Sequence, residues 1–307
     1  MKVMLVNSPL FEEKRMTPEY DLPPFGLAYI ATQLELVGCD VRLIDSINEN
    51  YGIQQILEII HKQNPQFVGL NIFSTNLSIV KKIVEQICIC TNIVIGGRVV
   101  EHIYDEIFNW DTENNLICIN GESELIFPAL VMGELKEKFY KNKANRQIYI
   151  VDRKSPFFPS DLNKITLNRR YINTNNKEEY LITSRGCMYD CAFCGGAASF
   201  NTGGMIRSRT EDNIKKEIVE IIENNKKLNS IRILDDLFLN NREKIRSAIN
   251  LFNQFPNLNW RAMAHVIPLL KNSDMLKELK DSGCNELFIG IESGSDKIRK
   301  FIKKEGT

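Results

Sequence analysis

Short β-branched runs alternate with helix-period segments along almost the whole chain, and they do so in two successive blocks. From residue 2 to about 133 the runs "KVMLVN", "VRLID", "FVGLNIF", "NIVIGG" and "LICIN" are near-continuously apolar. That is the pattern of strands whose two faces are both covered. Between them, Leu27, Ile30, Ala31 and Leu34 share one helix face, with Gly38 as its stop; Ile56, Leu57 and Ile60 stripe a second helix, and Ile79, Ile83 and Ile87 a third. This block predicts an open, doubly wound parallel sheet whose ligand crevice lies at the carboxyl ends of the strands.

Residues 134–178 break the rhythm. "GELKEKFYKNKANRQ" is charged, "SPFFPSD" carries two prolines and "NRRYINTNNKEE" is polar. The segment reads as a linker between domains 1–133 and 179–307, with room for a short strand at "QIYIV". The second block follows. Strands are expected at "EYLITS", "SIRILDD", "NWRAMAHV" and "ELFIGIES", and helices at "TEDNIKKEIVEIIENN", "NREKIRSAINLF", "SDMLKELKDSG" and "SDKIRKFIKKEGT". Thr210 and Ser273 are the expected N-caps, and Ile214, Ile218, Ile221 and Ile222 form an apolar face. Four βα units are part of a βα barrel, too few to close one, so a partner completes it or the chain is a fragment.

Lysine plus arginine equals aspartate plus glutamate, 39 each, so no bulk field draws the chain to nucleic acid or an anionic membrane. No apolar stretch approaches the roughly 20 residues that span a bilayer, and "MKVMLVNSPL" is not a signal peptide. A cytoplasmic location is the expectation. The single cysteines Cys39, Cys88, Cys90, Cys118 and Cys284 read as small buried thiols in a reducing compartment rather than as a disulfide framework.

The remaining three of the eight cysteines stand together in "CMYDCAFCGG", as Cys187, Cys191 and Cys194. They follow the first strand of the second block, the position where βα-barrel active sites gather. Thiolates suit zinc or an iron–sulfur cluster. Structural zinc wants four ligands, whereas a four-iron cluster on three cysteines leaves one iron open, which accounts for the count.

With its C-x3-C-x2-C array, Phe193 before the third cysteine and Gly195-Gly196 after it, the second block resembles the radical S-adenosylmethionine (SAM) superfamily. The likeness continues through "RSR" at 207–209, "ILDDLF" at 233–238 and "GIESGSDKIRKFIKKEGT" at 290–307. It implies a 4Fe-4S cluster on Cys187, Cys191 and Cys194, and reductive cleavage of SAM to methionine and a 5′-deoxyadenosyl radical. It further implies that Phe193 lies near the adenine, that Gly195 and Gly196 admit the SAM amine, and that Glu292 and Ser293 contact SAM. Asp235 and Asp236 read either as solvated acids ending a strand or as groups facing substrate or SAM. Arg207 to Arg209 either steady a carboxylate or cap the next helix.

The first block resembles the cobalamin-binding domain that precedes the radical SAM core in one branch of that superfamily. The segments are "VNSP", "PPFGLAYIATQLELVGCDVRLID", "VIGGRVV" and "INGESE". The implied corrin loops are Ser8-Pro9, Ser74-Thr75, Gly96-Gly97 and Gly121-Glu122, in a flavodoxin-like B12-binding fold; taken alone, the glycines are better explained by tight turns. None of His61, His102 and His265 stands in the D-x-H-x-x-G pattern that offers histidine to cobalt, so cobalamin, if bound, would have no protein histidine on the metal. The resemblance implies a radical SAM enzyme using cobalamin for methyl transfer or for radical rearrangement or cyclisation. The alternatives are a cobalamin-independent enzyme and a non-catalytic iron–sulfur protein. An electron donor such as flavodoxin or ferredoxin and a small-molecule or peptide substrate are the implied partners. No residue is singled out as catalytic.

Overall fold

The computed structural model describes residues 1–10, 22–135, 139–143, 145–172, 177–196 and 206–304. The chain divides into two compact units, one of residues 1–159 and 165–172, the other of residues 160–164 and 173–307.

In the first unit the elements run β1 (Lys2–Asn7), α1 (Phe25–Leu36), β2 (Asp40–Asp45), α2 (Ile53–Gln63), β3 (Phe67–Asn71), α3 (Leu77–Gln86), β4 (Asn92–Gly96), α4 (Val100–Ile107), β5 (Asn115–Gly121), α5 (Ile126–Val131), β6 (Phe139–Lys143) and β7 (Arg146–Val151). The sheet order is β2-β1-β3-β4-β5-β7-β6, parallel except for the β6 edge. Side chains alternate across it, as strand geometry requires. Met4 and Val6 pack with Ile56, Ile60, Ile79 and Ile83 of α2 and α3. Val3 and Leu5 pack with Leu27, Leu34, Ile126 and Phe127 of α1 and α5 on the other face. The order reverses between β1 and β3, the switch point where doubly wound sheets open their crevice.

The expected linker is corrected here. Residues through 159 and again 165–172 belong to the first unit. The strand at "QIYIV" is β7, which pairs with β5 in parallel. Its Arg146 is buried and donates to the carbonyls of Phe108 (3.1 Å), Asn114 (3.0 Å) and Thr112 (2.8 Å), so it closes the amino-terminal end of the sheet. Further on, Asn168 N–H donates to Thr32 Oγ1 (2.9 Å) and pins the chain against α1. A polar composition here marks groups that satisfy backbone carbonyls, not a solvated tether. Residues 173–176 of "NTNNKEE" lie outside the described residues.

The second unit contains β8 (Glu178–Leu181), β9 (Ser184–Arg185), β10 (Arg207–Ser208), α6 (Glu211–Asn224), β11 (Ser230–Ile233), α7 (Arg242–Phe252), β12 (Asn259–Ala264), α8 (Val266–Lys271), α9 (Leu276–Asp281), β13 (Cys284–Ile289) and α10 (Asp296–Phe301). Strands β8, β11, β12 and β13 form a four-stranded parallel sheet in chain order, and β9 and β10 a small antiparallel pair. Trp260, stacked on Phe252 at 4.6 Å, centres the core with Ile218, Ile231, Ile249 and Leu279. Thr210 caps α6 through Asn213 N–H. Ser273 does not cap a helix; it lies in a 3-10 turn, Ser273–Met275, ahead of α9. Among the described residues no helix is long and apolar enough to cross a membrane.

Candidate functional site

In the first unit the loops after β1, β3, β4 and β5 all leave from the carboxyl edge of one sheet, so Ser8-Pro9, Ser74-Thr75, Gly96-Gly97 and Gly121-Glu122 share that edge. Strands β1, β2 and β3 each end in a polar residue, and these residues tie the loops sideways. Asn7 Nδ2 donates to Asp45 Oδ1 (2.8 Å), and Asn71 Nδ2 donates to Asn7 Oδ1 (2.7 Å). Ser8 N–H donates to Asn71 Oδ1 (3.1 Å), and Phe73 N–H to Asn76 Oδ1 (2.7 Å). Burial pushes the Asp45 carboxyl up against the lowering effect of its bond from Asn7. Asn7, Asp45, Asn71 and Asn76 were not expected as site residues. Their signal was positional: each is a polar residue placed where an apolar run stops or a helix begins.

Gly97 and Gly121 hold this edge by close approach. Gly97 has φ +140°, and a Cβ there would lie 2.3 Å from the Ile72 carbonyl oxygen; Gly121 has φ +110° and would meet Val151 O at 2.3 Å. Gly96 is different, since its nearest contact would be an ordinary 3.6 Å to Ser123 Oγ. A flat, largely apolar ligand fits the exposed features of the edge: Phe73, Ser74 and Thr75 are open to solvent. Beside them Ser8 is fully buried, and its Oγ has no hydrogen-bond partner among the described residues. His61 lies in the last turn of α2, at the opposite edge of the sheet, while His102 lies in the first turn of α4, just after the Gly96-Gly97 loop.

In the second unit Cys187, Cys191 and Cys194 occupy one loop after β9. Cys191 is buried, Cys187 half-buried and Cys194 exposed. Cys194 N–H donates to Cys191 O (3.1 Å), and Gly196 N–H to Cys194 Sγ (3.3 Å). Ala192 N–H donates to Ile302 O (2.9 Å), which anchors the loop to the segment after α10. Burial pushes the Cys187 thiol up, and Asp236, Cys194 and Cys191 push it further. Burial likewise raises Cys191, while Lys304 pulls it back down. Among the described residues no three His, Cys, Asp or Glu side chains converge on an ion-sized point.

Asp235 corrects its expectation. It is 1% exposed and turns into the sheet, accepting from Thr183 N–H (2.7 Å), Thr183 Oγ1 (2.5 Å) and Ser184 Oγ (2.6 Å). It binds β11 to the segment after β8 and does not face a substrate. Asp236 does reach the cysteine loop, accepting from Gly186 N–H at 3.2 Å. Arg209 is held by Glu217, by Asn213 Oδ1 (2.6 Å) and by Ile182 O (2.8 Å), so the carboxylate it steadies is the protein's own. Lys244 Nζ donates to Ser208 Oγ (3.1 Å). Phe193 and Gly195 are exposed at the rim, with Gly196 half-buried.

Glu292 and Ser293 lie past the carboxyl end of β13. Glu292 is exposed, has φ +64° and sits 3.6 Å from Lys304 Nζ. A left-handed non-glycine residue is uncommon and marks sites where side-chain position matters. Ser293 Oγ accepts from Ser295 N–H (3.1 Å), and its carbonyl from Arg299. Tyr189 stacks on His265 at 4.0 Å, joining the cysteine loop to the N-cap of α8.

Comparison with known proteins agrees with this geometry. Residues 15–131 match the B12 binding domain and residues 181–307 the radical SAM superfamily. An uncharacterised methyltransferase of Pyrococcus horikoshii is 27% identical, over 99% of this chain and 68% of that protein. The cobalamin-dependent SAM radical enzyme OxsB, solved with aqua-cobalamin and SAM bound, superposes with a TM-score of 0.75 at 19% identity. The radical SAM methyltransferase TsrM of Kitasatospora setae, solved with cobalamin and a 4Fe-4S cluster, gives 0.68 at 14%. Both cover 100% of this chain, which spans 46% of OxsB and 62% of TsrM.

Proposed function

The chain is a B12-binding-domain radical SAM protein, and from that premise we propose that it takes part in cobalamin-dependent methyl transfer to an unactivated carbon of a small molecule or peptide. The carrying observation is that Cys187, Cys191 and Cys194 share one loop, which follows β8 and β9 and is held to Asp236 beyond β11 through Gly186. Support for methyl transfer over rearrangement or cyclisation comes from the methyltransferase names of its relatives.

Cys187, Cys191 and Cys194 would hold a 4Fe-4S cluster, which supplies one electron to the SAM sulfonium when reduced by a donor such as flavodoxin or ferredoxin. Cobalamin at the first unit's edge would supply the methyl carrier. The chain's own residues then bind and orient. Gly195 and Gly196 leave the backbone accessible to the SAM amine, the exposed Phe193 ring offers a face to the adenine, and Glu292 and Ser293 present polar groups from β13. Asp236 fixes the start of the cysteine loop through Gly186. Ser8, Ser74 and Thr75 offer hydroxyls to the corrin's polar rim, and Gly96, Gly97, Gly121, Pro9 and Glu122 shape the loops around it.

Anaerobic reconstitution with iron, sulfide, hydroxocobalamin and SAM tests the reading. Reductant-dependent release of 5′-deoxyadenosine together with retained cobalamin is expected. Release without retention at tens of micromolar (roughly −6 kcal/mol of binding) would favour the cobalamin-independent enzyme. Stoichiometric zinc without iron in anaerobically purified protein would defeat the cluster assignment.

A further inference from the structure

The single cysteines were expected to be buried. Cys39, Cys118 and Cys284 are, but Cys88 and Cys90 are exposed. They lie in "ICIC", the segment between α3 and β4, at the amino-terminal edge of the sheet and so at the opposite edge from Gly96 and Gly97. His61, in the last turn of α2, sits against Cys88: its Nε2 is 3.4 Å from Sγ and accepts the Cys88 backbone N–H at 3.3 Å. The same ring nitrogen faces both the Cys88 N–H and its Sγ, and in the tautomer that leaves Nε2 unprotonated it is the nitrogen turned toward the thiol. The segment is held at both ends. Ile87 O accepts from Asn114 Nδ2 (3.1 Å), while Thr91 donates its N–H to Asn114 Oδ1 (2.9 Å) and its hydroxyl to Pro65 O (2.8 Å). The chain bends at Ile89 between the two cysteines. Cys90 thus follows Cys88 two residues on, across that bend and in the same exposed segment.

We propose that His61, Cys88 and Cys90 form a thiol–disulfide exchange site, with Cys88 as the attacking thiol, His61 as its base and Cys90 as the resolving thiol. The co-reactant is a small-molecule disulfide. His61 Nε2 takes the Cys88 thiol proton, and the thiolate attacks one sulfur of the disulfide. The S–S bond of the reagent breaks, a mixed disulfide forms on Cys88, and the leaving thiolate picks up the proton. Cys90, losing its own proton, then attacks Cys88 Sγ and expels the second small thiol. Two protein thiols are oxidised to one Cys88–Cys90 disulfide, and the reagent is reduced by the same two electrons to two thiols.

The test uses the reduced full-length chain with glutathione disulfide under anaerobic conditions, read by peptide mass spectrometry. The 88–90 peptide is separate from that carrying Cys187, Cys191 and Cys194, so the two reactions are distinguished. The wild type is expected to yield a 88–90 peptide lighter by two hydrogens. Cys90→Ser is expected to stop at a glutathione adduct on Cys88. Within the Cys90→Ser background, His61→Gln is expected to slow that adduct about tenfold, the loss of the base that takes the thiol proton. In Cys88→Ser, the adduct on Cys90 is expected to form at the slow rate, an internal standard that does not depend on how well a His61 variant folds. Equal rates for Cys88 and Cys90, or a Cys88 rate unchanged by His61→Gln, would overturn the site. A mixed disulfide that persists in the wild type would overturn the resolving step.

Discussion

The carboxyl edges of the two parallel sheets solve one problem with different chemistry. In the first, Asn7 at the end of β1 links Asp45 at the end of β2 to Asn71 at the end of β3, so amides run across three neighbouring strands. In the second, Asp235 beyond β11 gathers Thr183 and Ser184 beyond β8 through three donors. The amide network continues from loop to loop, while the carboxylate tie is local and ends there. At the far strand of the second sheet Glu292 is exposed, and the ion pair it makes is with Lys304 at 3.6 Å. The first edge is therefore tied across β2, β1 and β3. The second is fixed beside the cysteine loop and loose at β13, where α10 buries no side chain.

The largest effect that would sharpen this contrast is loss of one loop without the other. Cys191 is the buried thiol of the three and the one whose loop is tied to Ile302. Cys191→Ala is expected to abolish the charge-transfer absorbance of the reconstituted cluster while leaving cobalamin retention at the wild-type level. Loss of both together would break the picture of two independently organised edges.

Next in size is the buried carboxylate. Asp235→Ala leaves a backbone N–H and two hydroxyls without their acceptor, each worth about 1–3 kcal/mol when buried, so the second unit should lose at least about 3 kcal/mol. The chain's two tryptophans separate the units, Trp110 reporting the first and Trp260 the second. In urea unfolding the Trp260 transition should shift and the Trp110 transition should not. The pH dependence has a definite sign. Burial raises the Asp235 carboxyl above its ordinary value near 3.9, so the folded state holds the proton more tightly than the unfolded chain does. That stability is complete below the unfolded value and is lost as pH rises through the folded one. Asp235→Asn cannot ionise, so the wild-type advantage over it should narrow as pH rises from about 4. A gap that widens over that range would show that the three donors outweigh burial.

The two edges also differ in how far the sequence revealed them. The doubly wound sheet was legible because its strands are continuous apolar runs and its helices carry clear stripes such as Ile79, Ile83 and Ile87. The cysteine loop was legible from spacing alone. What stayed hidden was set by tertiary contact. Arg146 sits in a polar stretch and looked like linker, yet it is buried among carbonyls that come from distant loops. Helix α8, "VIPLLK", continues an apolar strand run, and only the turn at His265 with Pro268 in the first helical turn separates them. Asp235 reads like any acid ending a strand. Its burial follows from hydroxyls that lie 51 and 52 residues earlier.

A smaller effect tests whether the glycines of the first edge hold backbone or hold open space for ligand. Gly97→Ala is expected to destabilise the first unit by about 1–3 kcal/mol, because its Cβ would overlap Ile72 O at 2.3 Å and its φ is unfavourable. Gly96→Ala, with 3.6 Å to its nearest contact, should be within about 0.5 kcal/mol of wild type. A bulky residue at Gly97 would thus weaken cobalamin retention by breaking the loop, and Gly96 is the cleaner position for blocking the crevice. Equal costs at the two positions would mean that the loop relaxes and that close approach does not define it.

The smallest effect is the most specific to function. Ser8 is fully buried beside the amide network, its N–H is taken by Asn71, and its Oγ has no partner among the described residues. A buried hydroxyl without a partner costs free energy, so Ser8→Ala should leave the ligand-free first unit equally stable or up to about 1 kcal/mol more stable by the Trp110 transition. A hydroxyl kept at such a cost is one that a ligand satisfies. If the corrin's polar rim is that ligand, the same substitution should weaken hydroxocobalamin retention about fivefold, the equivalent of one neutral hydrogen bond of roughly 1 kcal/mol. Opposite signs for stability and retention would identify Ser8 as a binding group. A loss of stability with unchanged retention would mean that the hydroxyl serves the fold, and the first edge would then be organised by its amides alone.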